Sequence, residues 1–347
     1  MSTPLRRMSN LVKDFVQRES RDEGVVGIVV FGSFVKGKVR GTSDLDFLVV
    51  KEDIEEYSRI KQKEKGILLE IHTWSLKLFG KPFDGELGNV FSDAFCFEVM
   101  RNGRILYDPK GILQQFKRYA RTCRLPYSHI KSLAERAHKS LQLAENLFER
   151  RKLEGAEIEV RKAAEELARV LLLERDILEI IPPKIYLPHL REEVPKFYKT
   201  FLEVHNLENI QRNEIEAAIQ SISNWRERTF EEIRRIGKED WLKIGEAIHG
   251  AQTELSNAQD CLENDDLEAA MLQVRYSAML VVSPILSLLK GSRKGTPVNT
   301  PSMRYMELLQ SKHPFGNVVK SMMNFSHDKG KIKEHIEILE NTAERYV

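Results

Sequence analysis

Three acidic residues and a glycine-serine turn are the parts of this sequence with types and spacing suited to chemistry. Gly32-Ser33 ends an apolar run, Val25–Phe31 (VVGIVVF), and Asp44-Leu45-Asp46 opens a second, Phe47–Val50 (FLVV). Alternate residues of a strand share a face, so Asp44 and Asp46 stand side by side. Carboxylates held that close repel one another, and a bound divalent cation is the usual reason to keep them together. Glu70 lies inside a later apolar run, Ile67–Trp74 (ILLEIHTW), where a carboxylate is costly unless it is paired or bound to metal. Three hard oxygen ligands suit one or two Mg²⁺ ions. Two such ions about 4 Å apart can activate an attacking hydroxyl and stabilise the leaving oxygen of a displacement at phosphorus.

The turn has its own chemistry. Gly32 lets backbone approach a ligand closely, Ser33 adds a hydroxyl, and the N–H groups of such a turn form an anion-binding concavity. Lys36, Lys38, Arg40 and Ser43 lie in the linker between the two runs and are candidate phosphate contacts. Singly, each feature has a plain explanation: a strand-ending turn, solvated aspartates at a strand start, an ion-paired glutamate, solvated lysines. Together, in this order, they point to a phosphate-and-metal site.

The elements that must hold these residues follow from apolar periodicity. Leu5, Met8, Leu11, Val12, Phe15 and Val16 form a helical stripe ahead of the first strand. That strand has almost no polar residue, as expected of one covered on both faces. Residues 52–65 are strongly charged and read as a solvated surface element with helical character. In the third strand, Leu68, Glu70, His72 and Trp74 share one face; packing is the expectation for His72 and Trp74. Residues 91–100 suit helix or strand, and residues 103–109 a short strand closed by a turn. Beyond about residue 112 nearly everything reads as helix, with Pro182-Pro183 and Gly237 as stops and a loop over 291–301.

At 347 residues the chain has room for two or three domains. Apolar content of 41% and charged content of 31% place it among globular proteins rather than disordered ones. Net charge is +2, and residues 1–115 hold 18 Lys+Arg against 17 Asp+Glu. No segment is basic enough to mark a dedicated binder of long nucleic acid. Cys96, Cys123 and Cys261 are widely spaced and read as small buried hydrophobes of a reducing compartment. The N-terminus lacks the apolar core of a signal peptide, and no run of 18 apolar residues occurs. The expectation is a cytoplasmic protein without a membrane span.

Gly32-Ser33, then ten residues, then Asp44-Leu45-Asp46, with Glu70 centred in a later apolar strand, resembles the nucleotidyltransferase superfamily of the polymerase-beta type in its minimal form. The resemblance covers about residues 1–110. It implies that Gly32 and Ser33, with Lys36 and Ser43, hold a nucleoside triphosphate such as ATP. It also implies that Asp44, Asp46 and Glu70 ligate Mg²⁺, and that Glu70 helps deprotonate the acceptor hydroxyl. Family members often carry aspartate at the third position, so Glu70 departs from the pattern. The helical remainder, above all Glu157–Ile177 (EIEVRKAAEELARVLLLERDI), is similar to the HEPN-type and kanamycin-nucleotidyltransferase-type bundles that accompany such domains. An Arg-x4–6-His ribonuclease motif is matched only by Arg124–His129, which a proline interrupts, so ribonuclease activity is not expected.

The fold class expected is therefore an α+β nucleotidyltransferase domain, a small mixed sheet with helices, over residues 1–115, followed by all-α bundles over 116–237 and 238–347. The second bundle repeats the first at an offset of 114: Ala144/Ala258, Leu153/Leu267, Ala156/Ala270, Val160/Val274, Arg161/Arg275, Ala164/Ala278 and Leu172/Leu286 are identical pairs. Arg161 and Arg275 are expected to cap or pair within their bundles. The expected activity is Mg²⁺-dependent transfer of a nucleoside monophosphate to a hydroxyl of a small molecule or protein. The alternative is a non-catalytic nucleotide-binding or antitoxin-like assembly module, and homodimerisation is left open.

Overall fold

In the computed structural model, residues 3–37, 44–52, 54–55, 57–86, 88–236, 242–290 and 301–347 are described. The chain divides into two compact units, Met1–Pro126 and Tyr127–Val347. The first runs α1 (Thr3–Glu19), β1 (Val25–Phe31), a single helical turn α2 (Gly32–Val35), β2 (Leu45–Lys51), β3 (Ser58–Glu64), β4 (Ile67–Ser75), α3 (Leu76–Gly80), a 3₁₀ turn (Lys81–Phe83), α4 (Val90–Asn102), β5 (Arg104–Tyr107) and α5 (Ile112–Thr122). The strands form one mixed sheet in the order β3-β4-β2-β1-β5. β2 and β4 are parallel, and the remaining neighbours are antiparallel.

The apolar runs seen in the sequence are the central strands, and α1 covers one face of the sheet. Its stripe (Met8, Leu11, Val12, Phe15) packs on Ile28, Val30, Leu45, Phe47, Val49 and Leu69. The intervening residues, Asp46, Glu70 and His72 among them, therefore face the other way. Among its described residues the charged segment 52–65 is not helical: half of it is β3, an edge strand with almost every residue exposed. Its pairing is to the backbone of β4, so its side chains needed no apolar alternation and gave no strand signal. Residues 91–100 resolve as helix, started by Asn89, whose side chain accepts from the Phe91 N–H at 2.9 Å. The first unit continues past residue 115, because α5 packs on α4 and β1.

The second unit comprises α6 (Tyr127–Glu149), α7 (Leu153–Glu174), α8 (Pro183–Glu193), α9 (Pro195–His205), α10 (Arg212–Ile236), α11 (Leu242–Glu263), α12 (Leu267–Lys290), α13 (Pro301–Gln310), α14 (Pro314–Met323) and α15 (Lys329–Ala343). Helices from both sides of residue 237 pack on one another, α10 on α11 and α12, α15 on α6 and α7, so the region expected as two bundles folds as one unit. Gly237 and the loop 291–300 fall outside the described residues. Among the described residues, Leu267–Leu289 is one helix long and apolar enough to cross a membrane, but 67% of its window is buried. Its length and composition are those of a core helix.

Phe47 is fully buried and stacks on Phe15 with ring centroids 4.0 Å apart. Phe47→Ala should cost the first unit about 3–5 kcal/mol, read as a lower urea midpoint. A loss below about 1 kcal/mol would contradict this packing, since it lies well under the range for a buried aromatic.

Candidate active site

The parallel register of β2 and β4 sets Asp46 directly opposite Glu70, and the antiparallel register of β1 and β2 sets Phe31 opposite Asp46. The carboxylates thus meet on the sheet face away from α1, beside the turn that ends β1. Oxygens of Asp44, Asp46 and Glu70 lie within 4.8 Å of one another. Asp44 and Asp46 are partly exposed and Glu70 is buried. The three residues expected to converge do so.

Gly32 is where the turn touches this group. Its φ is +71°, and a Cβ there would fall 1.9 Å from Asp46 Oδ2. Any side chain would collide with the carboxylate and strain the backbone, so glycine is what lets the turn close over Asp46. Ser33 follows in α2. Lys36 reaches Glu98 on α4, with Nζ 3.5 Å from Oε1, so it is held to one side rather than standing open to solvent. Lys38, Arg40 and Ser43 lie outside the described residues.

The carboxylates differ in electrostatics. Burial, then Asp44, then Glu70 push the Asp46 carboxyl up to about 8, and Lys61 and Arg59 offset this only in part. Glu70 goes the other way. Burial works against its charge, but hydrogen bonds from His72 and Lys61, and the charges of Arg59 and Lys61, bring it down to about 2. Both its oxygens are engaged. Oε1 accepts from Arg59 Nε at 2.6 Å and lies 2.9 Å from His72 Nε2, while Oε2 lies 2.8 Å from Lys61 Nζ. His72 Nδ1 in turn lies 2.9 Å from the Tyr57 hydroxyl.

Arg59, Lys61 and Tyr57 were not identified from the sequence as site residues. They fall in the stretch read as a solvated surface, and the i, i+2 spacing of Arg59, Lys61 and Lys63 was the only signal. An aromatic cluster adjoins them. Tyr57 and Trp74 have centroids 4.9 Å apart, His72 and Phe95 5.1 Å, and Phe31 and His72 5.6 Å. Tyr57 is 42% exposed, so the cluster has an open edge beside the carboxylates.

The donor set fits a divalent cation. It is all hard oxygen, and burial together with the neighbouring Asp44 and Glu70 charges makes the Asp46 carboxyl resist ionising, a cost that a cation would remove. Residues 8–85 match the family model described as "Nucleotidyltransferase domain". The chain carries a nucleotidyltransferase domain. The match spans β1, the Gly32 turn, β2 and β4, and so contains every member of the carboxylate group. A triphosphate substrate and a divalent metal go with such a domain. A solved structure, a nucleotidyltransferase-like protein from Exiguobacterium sibiricum 255-15, is 15% identical, with 93% of this chain and 92% of that chain covered and a TM-score of 0.41. No curated protein matches the chain.

The crowding has a measurable consequence. An unfolded aspartate titrates near ~4, whereas folded Asp46 titrates at about 8. Stability tied to this group is therefore full below pH ~4 and is lost as the pH rises towards 8. Glu70 contributes in the opposite sense: its stabilisation is full above ~4 and lost only as pH falls towards 2, outside this window. In EDTA, Asp46→Asn should be stabilised relative to wild type, by more at about pH 8 than at about pH 5. Urea midpoints that differ equally at the two pH values would refute the crowding.

Proposed function

We propose that the first unit transfers a nucleoside monophosphate from a nucleoside triphosphate, ATP being one candidate, to a hydroxyl, with release of pyrophosphate. The observation that carries this reading is the meeting of Asp44, Asp46 and Glu70 beside the Gly32 turn, within a matched nucleotidyltransferase domain. Asp44 and Asp46 would hold Mg²⁺, with room in the donor set for two ions, and Glu70 would complete it from the neighbouring strand. Bound metal supplies charge stabilisation at the phosphoryl oxygens and lowers the pKa of the attacking hydroxyl.

The remaining roles belong to the chain. Gly32 lets the turn's backbone approach the triphosphate, Ser33 offers a hydroxyl donor, and Lys36 and Ser43 are further proposed contacts to the nucleotide. Arg59 and Lys61 fix the Glu70 carboxylate on both its oxygens and keep it ionised; because they also lower its basicity, its proposed help in deprotonating the acceptor would come from its negative charge beside the metal. Near-neutral charge favours a small molecule or a protein as acceptor over a long nucleic acid, and the HEPN-like helical unit would help select it.

A second reading rests on one specific contact set. Because Arg59, Lys61 and His72 already occupy both Glu70 oxygens, Asp44 and Asp46 alone could bind metal and nucleotide without turnover, as in an assembly or antitoxin-like module. The two readings separate on activity. Metal charge stabilisation is worth several kcal/mol, so Asp44→Ala with Asp46→Ala should lower transfer from labelled triphosphates at least ~100-fold. An unchanged rate would sink the enzymatic reading. Binding of Mg²⁺-triphosphate with no transfer to any acceptor tested, the protein itself included, would favour the second.

A further inference from the structure

A cavity of about 470 Å³ in the first unit lies among the C-terminal end of α4, the start of β5 and one side of α5. Its walls carry Arg101, Arg104, Lys117, Arg118 and Arg121, and no acidic residue. Lys117, Arg118 and Arg121 are at i, i+1 and i+4, so one helix turn of α5 aims its cations at the hollow. Lys117 is half-buried and donates to the Gly103 carbonyl at 2.5 Å. Burial, then Arg121, push its ammonium down from the ordinary lysine value. Arg101 donates from Nε to the Ala120 carbonyl at 2.5 Å and from Nη2 to the Cys123 carbonyl at 2.7 Å. These bonds tie the end of α5 to α4 and give the cavity a fixed wall. Among the described residues, Arg104, Lys117, Arg118 and Arg121 form no ion pair.

Arg104, Lys117, Arg118 and Arg121 around one hollow repel each other, and an anion seated there relieves these four at once. Guanidinium forks match phosphate oxygens in geometry and charge, and the volume falls in the range of small-molecule sites. The cations converge on a hollow instead of running as a stripe along the surface, which favours a compact anion over a polymer backbone. Arg104 pairs with Val30, two residues before Gly32, so the cavity flanks β1 on the side away from β2 and the carboxylates. We propose that this cavity is a binding site for a small phosphorylated ligand, either a polyphosphate or an organic phosphate. The site stands on its own residues and does not depend on the nucleotidyl-transfer reading.

Calorimetric titration of the full chain with inorganic pyrophosphate, in EDTA and at low salt, tests it. Wild type should bind one equivalent. Arg118→Ala with Arg121→Ala, both exposed on α5, should bind at least ~10-fold more weakly, since each lost charge-assisted hydrogen bond is worth about tenfold or more. Arg234→Ala with Arg235→Ala, which removes equal charge elsewhere, should bind like wild type, as should Asp44→Ala with Asp46→Ala. No heat in wild type, or undiminished binding in the α5 variant, would overturn the proposal. So would markedly tighter binding in the aspartate variant, since without metal the two carboxylates repel an anion at their turn and their removal would favour one seated there. A single-stranded oligoribonucleotide that displaces pyrophosphate at lower concentration would overturn the small-ligand assignment.

A separate set of contacts supports a second inference, in the helical unit. The turn after α6 has Arg151 at φ 58°, with Arg151 N donating to Phe148 O at 2.9 Å and Lys152 N to Leu147 O at 2.9 Å. The turn after α11 repeats it 114 residues on: Asp265 at φ 59°, Asp265 N to Leu262 O at 3.1 Å, Asp266 N to Cys261 O at 3.0 Å. Both α9 and α14 end at a left-handed asparagine, Asn206 and Asn324. Counted back from these asparagines, Val204 matches Met322 and His205 matches Met323. Arg161 donates from Nε to Val204 O at 3.2 Å and from Nη1 to Met323 O at 2.7 Å. Arg275, its repeat partner, donates from Nε to Met322 O at 3.2 Å and from Nη1 to His205 O at 2.6 Å. Each arginine binds its own half through Nε and the other half through Nη1. The helix packing obeys the same rule: α10 lies on α11 and α12 while α15 lies on α6 and α7, and α8 lies on α12 while α13 lies on α7.

We infer that α6–α10 and α11–α15 are two copies of one five-helix element, joined about a pseudo-two-fold axis with their fifth helices exchanged. Neither copy then has a closed core alone. A protease site inserted between Ile236 and Leu242, and cut after the full chain has folded, should leave both fragments co-eluting at micromolar concentration. Arg161→Met and Arg275→Met should loosen the cut pair to the same degree. Separation of the two cut fragments without either arginine substitution, or weakening by only one of the two arginine variants, would overturn the exchange.

Discussion

The first unit depends on the crowding of negative charge on one face of its sheet. β2 and β4 run parallel with Asp46 opposite Glu70, Asp44 lies two residues before Asp46, and the Gly32 turn closes against Asp46 from β1. Water cannot fully screen charges placed this way. The molecule answers with fixed cations on one side of the group: Arg59 and Lys61 from the edge strand hold Glu70 ionised. On the other side Asp46 is left under strain that a divalent cation would remove. The site is thus divided between a carboxylate already neutralised and one awaiting its counterion.

That division explains why the edge strand matters. β3 adds no apolar surface to the core, and by burial alone it would be dispensable. Its backbone ladder with β4 sets Lys61 opposite Glu70 and Arg59 opposite His72, which makes it a device for placing charge. The aromatic cluster of Phe31, His72, Trp74, Phe95 and Tyr57 walls the same face. It lowers the local dielectric and so strengthens each of these pairings.

Charge placement of a different kind organises the helical unit. Arg161 and Arg275 are buried, and each directs its Nε and Nη1 to helix-end carbonyls that have no partner within their own helices. Two buried guanidiniums near one another are costly. Here each is matched to the negative ends of two helices from different halves, so the same pair that carries the cost also holds the halves together.

The sequence by itself determined the carboxylate site to the residue. Strand alternation put Asp44 and Asp46 on one face, and an isolated glutamate in an apolar run marked Glu70. It determined the central strands, α1 and most helices as well, because apolar periodicity records directly which faces are buried. Tertiary structure alone decided what depends on backbone pairing and on neighbours distant in the chain. β3 was hidden because an edge strand is held by main-chain hydrogen bonds and leaves no side-chain pattern. The cations on Glu70 were invisible for the same reason, since only the β3–β4 register brings Arg59 and Lys61 to it. The basic cavity draws on α4, β5 and α5 in a region whose summed charge is nearly neutral, so composition could not reveal it. In the helical half the 114-residue echo was legible, but not that helices from both sides of residue 237 pack into a single unit. Helical periodicity tells which face of α10 or α15 must be covered; only the folded chain decides that the cover comes from the other half.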